Sequence, residues 1–330
     1  MNSPAAPGSD AANDVVLSIV APMYNEEENV PRTVDLIKKE MAGLGRPWEF
    51  IMVDDGSADG TRAAALAQSQ ADPRIRVVGY SRNAGRGKAL RTGIAAARGA
   101  FIVTTDFDLS YEPSHITRIF RELESNPEVD AVLGSAYMEG GQAVGIPWFR
   151  LFVSKMGNRI LSFAMGGRFK TISCVLRGYR REVIQSVELE SNGKEIHLEI
   201  LSKLCALGYN IKEIPATLRA RKKGRSKFRF GTTSMTHLAF SLFERPMILF
   251  GLLGMLSLLL GFFVGLYLLS QYWQARLHPE RPLMTVLVVL LLGGVQILAF
   301  GFLAIQLLAL RKEIYILQRE NKEIQAKLRK

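Results

Sequence analysis

The sequence predicts an α/β domain with a parallel sheet, followed by a hairpin of two membrane-spanning helices and a short C-terminal helix. Three observations support this. Short β-branched runs alternate with helical stretches from Val15 to Val132, two long apolar runs without charge follow, and a heptad pattern closes the chain. Strands alternating with helices are typical of a parallel sheet covered by helices on both faces. At 330 residues the chain exceeds one average domain.

Residues 1–14 have no basic start, no apolar stretch and no helical periodicity. We therefore expect a flexible tail and not a signal peptide, which keeps the N-terminus in the cytoplasm.

Four strands are predicted in the first half, each with polar residues at its end. Their sequences are VVLSIVAP, WEFIMVDD, IRVVGYS and FIVTTDFD, and the first is followed by a helix from Val30 to Met41. Ligands of parallel sheets bind at the carboxyl ends of the strands, so the site is expected there.

The pattern loosens after Val132. An amphipathic helix is predicted over Pro147–Met165, another helix over Glu195–Leu207, and then the strand IKEIPATL and the charged run RARKKGRSKFRF. We expect one domain over residues 15–230, in which this half binds an acceptor substrate. The amphipathic stretch 231–246 could lie in the plane of lipid headgroups.

The two apolar runs, 247–270 and 283–310, carry no charge. Each reaches at least about 36 Å as a helix, enough to cross a hydrocarbon core of about 30 Å. The connecting segment 271–282 carries only two lysine or arginine residues, Arg276 and Arg281. Tyr272 and Trp273 in the same segment are expected to be interfacial anchors. Basic residues crowd the segment before the first span: Arg221, Lys222, Lys223, Arg225, Lys227, Arg229 and Arg245. The positive-inside rule then predicts an extracytoplasmic loop and two cytoplasmic termini.

The C-terminal tail, residues 311–330, spaces five side chains by threes and fours. They are Ile314, Leu317, Asn321, Ile324 and Leu328. This a/d seam favours a short coiled coil and a homo-oligomer, and an amphipathic helix on the membrane surface is the alternative.

The formal charge of +11 is compatible with nucleic acid, but the basic residues cluster beside the apolar runs, where anionic lipid headgroups explain them better. We expect no nucleic-acid partner. Cys174 and Cys205 lie outside any metal-ligand spacing and are assigned no function.

Asp106 and Asp108 are two residues apart at the end of a predicted strand, so their carboxylates should point to the same side. Paired carboxylates suit Mg2+ or Mn2+, which in turn can bind a diphosphate. An acid pair without further context also occurs on ordinary protein surfaces.

Two other strand ends carry candidate nucleotide contacts. The turn APMYNEEEN is consistent with an ordinary strand-to-helix connection with Asn25 as N-cap. In VDDGSADGT, Gly56 permits a tight turn and Asp59 can cap the next helix, and one of Asp54 and Asp55 is expected to be structural. The third loop, SRNAGRGKALRTG, lacks the GxxxxGK[ST] pattern, which argues against a P-loop, but leaves Arg86 and Lys88 as diphosphate partners or as solvated charges.

In this order, PMYNEEENV, VDDGSADGT, RNAGRGKALRTG, DFDLS and RARKKGRSKF resemble the polyprenyl-phosphate glycosyltransferases of family 2, typified by dolichyl-phosphate mannose synthase. The resemblance covers roughly Leu17–Phe230. It implies a GT-A (Rossmann-like) fold, a nucleotide-sugar donor, a divalent metal and inversion at the anomeric carbon. The two C-terminal spans are similar to those of bacterial polyisoprenyl-phosphate glucosyltransferases and aminoarabinose transferases.

The resemblance also implies roles for individual residues. Nucleotide contacts fall on Pro22, Tyr24, Glu26 and Asp55, and metal and donor contacts fall on Asp106 and Asp108. Acceptor-phosphate contacts fall on Arg150 and Ser154 in WFRLFVSKMGN, and Arg221 and Lys227 match positions that clamp phosphates.

Three positions depart from the family pattern. Ser110 replaces a glutamine that would be a third metal ligand, Ala136 replaces a phosphate-binding arginine, and Thr171 replaces an acid. Arg168 or Lys170 could compensate for the missing arginine.

The function expected from the resemblance is inverting transfer of a hexose from a GDP-mannose or UDP-glucose type donor to polyprenyl phosphate, which yields a lipid-linked donor for glycan or lipid glycosylation. A lipid phosphate is mostly dianionic at neutral pH and needs no general base. Glu195, His197 and Glu199 are therefore expected to be structural or to recognise the donor.

Two alternatives stay open. One is transfer to a sugar hydroxyl in polysaccharide synthesis, although the chain has no QxxRW motif and too few spans for a channel. The other is a catalytically silent, nucleotide-binding membrane scaffold.

Overall fold

The computed structural model describes residues 15–220, 246–274 and 282–328. The predictions for the flexible N-terminal tail, the interfacial stretch 231–246, Arg221, Lys227 and most of the loop between the spans lie outside these residues.

The described chain contains a large sheet whose strands lie in the order β3-β2-β1-β4-β7-β5-β8, and a small sheet that pairs β6 with β9. The strands are β1 Leu17–Met23, β2 Trp48–Asp55, β3 Ile75–Tyr80, β4 Phe101–Thr104, β5 Ala131–Ser135, β6 Gln142–Val144, β7 Arg177–Arg180, β8 Ile211–Pro215 and β9 Thr217–Arg219. Strands β1 to β4 pair in parallel, as predicted. All eight residues of β2 are buried, as expected of a strand that is covered on both faces.

Helices connect these strands and continue to the end of the described chain. They are α1 Val30–Met41, α2 Thr61–Ala71, α3 Arg86–Ala96, α4 Ser114–Ser125, α5 Trp148–Ala164, α6 Arg181–Ser186, α7 Ile196–Ala206, α8 Pro246–Trp273 and α9 Pro282–Leu328. The predicted bounds of α1 are confirmed, and those of α5 and α7 differ by one residue at each end. The predicted strand IKEIPATL is divided between β8 and β9, which pair with different sheets.

Strand β7 lies antiparallel between β4 and β5 and was not predicted. It begins with Arg177, which is fully buried and donates to the carbonyl oxygens of Cys174 and His197 at 2.9 and 2.7 Å. Arg180, at its other end, donates to the carbonyl oxygen of Val129 at 2.9 Å. Two arginines in a four-residue segment give no strand signal, because tertiary hydrogen bonds stabilise it.

The chain divides into two compact units. The first unit contains both sheets, and the second contains α8 and most of α9. Both helices are long and apolar enough to cross a membrane, and only 17% and 11% of their most apolar windows are buried. Such exposure differs from that of a core helix in a soluble protein, and the two predicted runs are thus confirmed as candidate spans.

Small residues bring α8 and α9 together. A Cβ atom added to Gly254 would lie 2.8 Å from the Leu298 side chain, and one added to Gly294 would lie 2.8 Å from Leu258. Between these glycines, the Ser257 hydroxyl donates to the carbonyl oxygen of Leu290 at 2.8 Å. Close helix contact through small residues is typical of packing within a bilayer.

Helix α9 continues through the predicted tail without interruption for 47 residues. The part of α9 from Tyr315 onward belongs to the first unit, which contains both sheets. The apolar members of the predicted seam, Ile314, Leu317, Ile324 and Leu328, are all exposed.

Candidate active site

The acid pair lies on a turn that follows β4. The strand ends at Thr104, and Asp106 and Asp108 follow it on the turn. The expectation that the strand FIVTTDFD continues through both acids is therefore wrong. Phe107, between the acids, is buried and stacks with Phe50 at a centroid distance of 6.4 Å. The buried ring anchors the turn, and both neighbouring acids are half-buried.

Ser110 orients Asp108. Its hydroxyl and its amide donate to Oδ1 of Asp108 at 2.8 and 3.0 Å, across a turn in which Leu109 has φ +51°. The serine that replaces the family glutamine therefore supports the second acid.

A cation lies beside the first acid. Nη2 of Arg86, at the start of α3, is 3.2 Å from Oδ1 of Asp106. This pair is partly exposed, so it remains open to a charged ligand. Lys88 is exposed on the first turn of the same helix.

The backbone amides at the start of α3 are occupied. Gly87 and Lys88 donate them to the carbonyl oxygen of Asn192 at 2.7 and 3.3 Å. The approach is so close that a Cβ atom on Gly85, which has φ +96°, or on Gly87 would lie 2.5 or 2.4 Å from this segment. The helix start therefore offers a phosphate the side chains of Arg86 and Lys88, and not these two amides.

Asp55 lies at the end of β2 and orders the loop that leads to α3. Its carboxylate accepts hydrogen bonds from Tyr80 Oη at 2.6 Å, Asn83 Nδ2 at 3.0 Å and the amides of Ala84 and Gly85 at 2.9 and 3.1 Å. Burial and the adjacent Asp55 raise the pKa of Tyr80, so its phenol stays a donor. The nucleotide contact expected of Asp55 stays a prediction.

Asp54 is also buried and accepts the Ser57 amide at 3.0 Å. Asp59 accepts the amide of Thr61, the first residue of α2, at 3.0 Å, but Gly60 occupies the N-cap position, so Asp59 lies one residue before the predicted cap.

Asn25 connects two loops and is not an N-cap, which corrects the prediction. Its φ is +53°, and its side-chain oxygen accepts the Ala58 amide at 2.9 Å. The next residue, Glu26, donates its amide to Thr61 Oγ1 at 2.7 Å and accepts Asn29 Nδ2 at 2.6 Å. Pro22 and Tyr24 lie half-buried beside these contacts.

The acceptor residues predicted on α5 share one face of that helix. Arg150, Ser154 and Asn158 recur every four residues, and Tyr137 donates its hydroxyl to Ser154 Oγ at 2.7 Å. Burial raises the pKa of Tyr137, so this phenol remains protonated. Arg150 is exposed.

The opposite face of α5 is apolar and exposed. It carries Phe149, Phe152, Met156 and Ile160, at spacings of three and four residues. One face of the helix thus presents polar side chains to the first unit, and the opposite face leaves an apolar stripe exposed.

Asn158 and Thr171 fix the chain where the family pattern has an acid. Asn158 Oδ1 accepts the amides of Ile172 and Ser173 at 2.7 and 3.1 Å. The Thr171 hydroxyl is 2.8 Å from Ser135 Oγ and accepts the Tyr137 amide at 3.2 Å. A buried hydroxyl therefore stands at this position. Ala136 is buried, whereas Arg168 and Lys170 are exposed.

Tyr111 is a buried neighbour of both Asp106 and Tyr137 that the sequence predictions missed. Tyr111 is buried, and burial together with its neighbours Cys174, Asp106 and Tyr137 raises its pKa. The adjacent Ser110 accepts the Arg219 amide at 2.8 Å. Tyrosine next to the DFDLS motif was the available signal, but nothing in the sequence indicates its burial.

The residues expected to be structural on α7 are held by protein contacts. Glu199 accepts the amides of Glu190 and Ser191, both at 2.8 Å. His197 is buried, and burial with the nearby Arg177 and Arg86 lowers its pKa well below the usual value.

The donor set can be compared with the needs of a metal. Among the described residues no group of three or more histidine, cysteine or acidic side chains could hold an ion. Mg2+ and similar ions are often held by one or two carboxylates, with substrate phosphates and waters completing the shell. Asp106 and Asp108 fit an ion that binds together with a diphosphate.

Comparisons with known proteins identify the family of this chain. The family model described as glycosyl transferase family 2 matches residues 18–187. A polyprenol monophosphomannose synthase of Mycolicibacterium smegmatis is 32% identical over 63% of this chain and 79% of its own. A dodecaprenyl-phosphate galacturonate synthase of Rhizobium johnstonii is 31% identical over 90% of this chain and 88% of its own.

Solved structures share the fold. Glucosyl-3-phosphoglycerate synthase from Mycobacterium tuberculosis, in complex with Mn2+, uridine diphosphate and phosphoglyceric acid, gives a TM-score of 0.55 at 22% identity. The match covers 73% of this chain and 84% of that one, and it confirms the predicted GT-A fold.

Proposed function

Since the chain belongs to glycosyl transferase family 2 and is a glycosyltransferase, we propose that it transfers a hexose from a nucleotide-sugar to polyprenyl phosphate, with inversion at the anomeric carbon. The family assignment sets aside a catalytically silent scaffold. Both relatives described above are named for sugar transfer to a polyprenyl phosphate.

The observation that carries the acceptor assignment is the composition of the cluster around α5. It presents Arg150 and Ser154 next to the Tyr137 phenol, and Thr171 stands where the family pattern has an acid. An acceptor hydroxyl would need a base to remove its proton, whereas a phosphomonoester with a second pKa of about 6 is already dianionic. The cluster therefore suits a phosphate acceptor better than a sugar hydroxyl.

Substrate positioning supplies most of the proposed catalysis. A phosphate oxygen of the lipid attacks the anomeric carbon while the bond from that carbon to the diphosphate breaks, and the electron pair leaves on the diphosphate. Arg150 and Ser154 hold the nucleophile, and Arg86 and Lys88 oppose the charge that develops on the leaving group. A Mg2+ or Mn2+ ion held by Asp106 and Asp108 would neutralise the same diphosphate.

The remaining predicted contacts complete this proposal. Pro22, Tyr24, Glu26 and Asp55 would bind the nucleotide, and Arg221 and Lys227 would clamp the phosphates. The last described strand before them, β9, is tied to the turn after Asp108 by the bond from Arg219 to Ser110. This attachment holds Arg219 next to the turn that carries the acid pair.

We propose that α8 and α9 anchor the protein in a membrane. Both termini and the first unit, which carries the proposed site, would lie on the cytoplasmic side. Segment 271–282 would be the extracytoplasmic loop. The apolar stripe of α5 is compatible with a helix at the membrane surface, where a lipid phosphate is found. The exposed seam of the tail supports a homo-oligomer.

The test offers the purified full-length protein labelled UDP- and GDP-sugars with polyprenyl phosphate and either Mg2+ or Mn2+. An acid-labile labelled lipid is expected with one donor and no product without metal. Transfer to free oligosaccharide, with none to the lipid phosphate, would replace this proposal with the sugar-hydroxyl alternative. No transfer to either acceptor would contradict it.

A further inference from the structure

The last turns of α9 contact the connection between α6 and α7. Lys322 Nζ donates to the carbonyl oxygens of Val187 at 2.9 Å and Gln185 at 3.4 Å. These carbonyls lie at the C-terminal end of α6, where a helix leaves acceptors without intrahelical partners. A lysine at such a position satisfies them.

A second contact lies two helical turns earlier on the same face of α9. The ring centroid of Tyr315 is 5.0 Å from Nζ of Lys203, within the range of a cation–π interaction. Lys203 is buried on α7 and donates to the carbonyl oxygen of Glu188 at 2.6 Å and to Glu199 at 2.8 Å. Both tail contacts therefore converge on the segment that begins at Val187.

The same segment reaches the donor side of the site. Asn192 accepts the amides of Gly87 and Lys88, and Arg91 of α3 donates to the carbonyl oxygen of Leu189 at 2.8 Å and to the Asn192 side chain. Helix α3 begins with Arg86, which is paired with Asp106. A continuous series of contacts thus joins the tail to Arg86 and Lys88, the side chains proposed to bind the diphosphate.

We propose that the tail is an intramolecular brace, in which Lys322 and Tyr315 are positioning residues. They hold segment 187–192 against α3 and so fix Arg86 and Lys88 for the donor diphosphate. The function of the brace rests on the proposed donor site. Bracing and self-association would use different faces of the tail, because Leu317 and Ile324 of the seam are exposed.

The test compares Lys322→Met with wild type in the full-length protein. We expect KM for the nucleotide-sugar to rise roughly three- to tenfold, which is less than the full cost of a charged hydrogen bond because Lys322 acts on the donor only through segment 187–192. KM for the lipid phosphate and the melting temperature should stay unchanged. Amide hydrogen exchange should accelerate in segment 185–192 and at Gly87 and Lys88. Lys322→Arg should restore both values, since it can still donate to the carbonyls.

The matched control is Lys312→Met, which removes the same charge from an exposed position of the same helix. Unchanged donor KM and exchange in Lys322→Met would overturn the brace. So would equal rises in both KM values with a lower melting temperature, since they would indicate a general loss of stability. If no donor is a substrate, the proposed function fails, and the exchange of Gly87 and Lys88 still decides whether the tail holds this segment.

Discussion

On the proposed donor side of the site, the Asp55 carboxylate accepts one hydrogen bond from Tyr80 at the end of β3 and three from the loop that leads to α3, whereas on the proposed acceptor side Arg150 extends from an exposed helix. The donor side is shaped by contacts within the protein. The acceptor side combines a fixed segment around Asn158 with an exposed arginine on the same face of α5 and an apolar stripe on the opposite face. Substitutions should therefore affect folding and turnover on the first side, and demand for acceptor on the second.

The largest effect is expected from Asp108→Ala. Loss of the proposed metal ligand removes several kcal/mol of charge stabilisation, so transfer should fall by at least about a thousandfold. Asp35→Ala, at an exposed position on α1, is the matched control. Transfer of labelled sugar measures the effect, and wild-type turnover by a folded Asp108→Ala protein would refute the metal assignment.

Arg150→Ala tests the acceptor side. It should raise KM for polyprenyl phosphate roughly tenfold to a hundredfold, the cost of one charged hydrogen bond, and leave KM for the donor unchanged. Arg159→Ala, at an exposed position of the same helix, should change neither constant. A change confined to the donor KM would show that the two sides have been assigned wrongly.

Asp55→Ala tests how far the donor side depends on its network. The change leaves the Tyr80 phenol and the amides of Ala84 and Gly85 without their acceptor. A typical hydrogen bond contributes about 0.5–1.5 kcal/mol to stability. We expect a lower melting temperature and a higher KM for the nucleotide-sugar. Unchanged stability together with lost donor binding would instead support direct contact between Asp55 and the nucleotide.

A smaller effect concerns pH and the helix between the two sides. Burial lowers the pKa of His197 on α7 in the folded protein. The neutral imidazole costs no stability above the unfolded pKa of about 6.5. The free energy of unfolding then decreases as pH falls below that value toward the folded pKa. One such histidine costs about 1.4 kcal/mol per pH unit in that window. His197→Gln should flatten the free energy of unfolding between pH 7.5 and 5.5, measured by denaturant titration. An unchanged slope would contradict this.

Local patterns were sufficient for much of the fold. Alternating segments predicted β1 to β4, helical periodicity gave the bounds of α1, and apolar length identified both spans. Strand β7 was missed because Arg177 and Arg180 depend in part on carbonyl oxygens distant in sequence, those of His197 and Val129. The resemblance selected the acid pair, but the turn after Thr104 depends on burial of Phe107 against Phe50.

Contacts between distant segments account for the other differences. The roles of Asn25 and Asp55 within the protein depend on partners in neighbouring loops, and sequence spacing carries no information about them. The tail seam was visible as a heptad, whereas the contacts of Lys322 and Tyr315 need the folded positions of α6 and α7. Tyr111 and Tyr137 were missed for the same reason.

The glycine and serine contacts between α8 and α9 also bear on how the protein reaches its membrane. Two helices that touch at Gly254 and Gly294 and share the Ser257 bond leave no room for lipid between them. Each helix alone would present a grooved face that acyl chains fill poorly. Insertion as a preformed pair is then favoured over insertion of one helix at a time, and a protein truncated after Trp273 should be a substrate for membrane quality control.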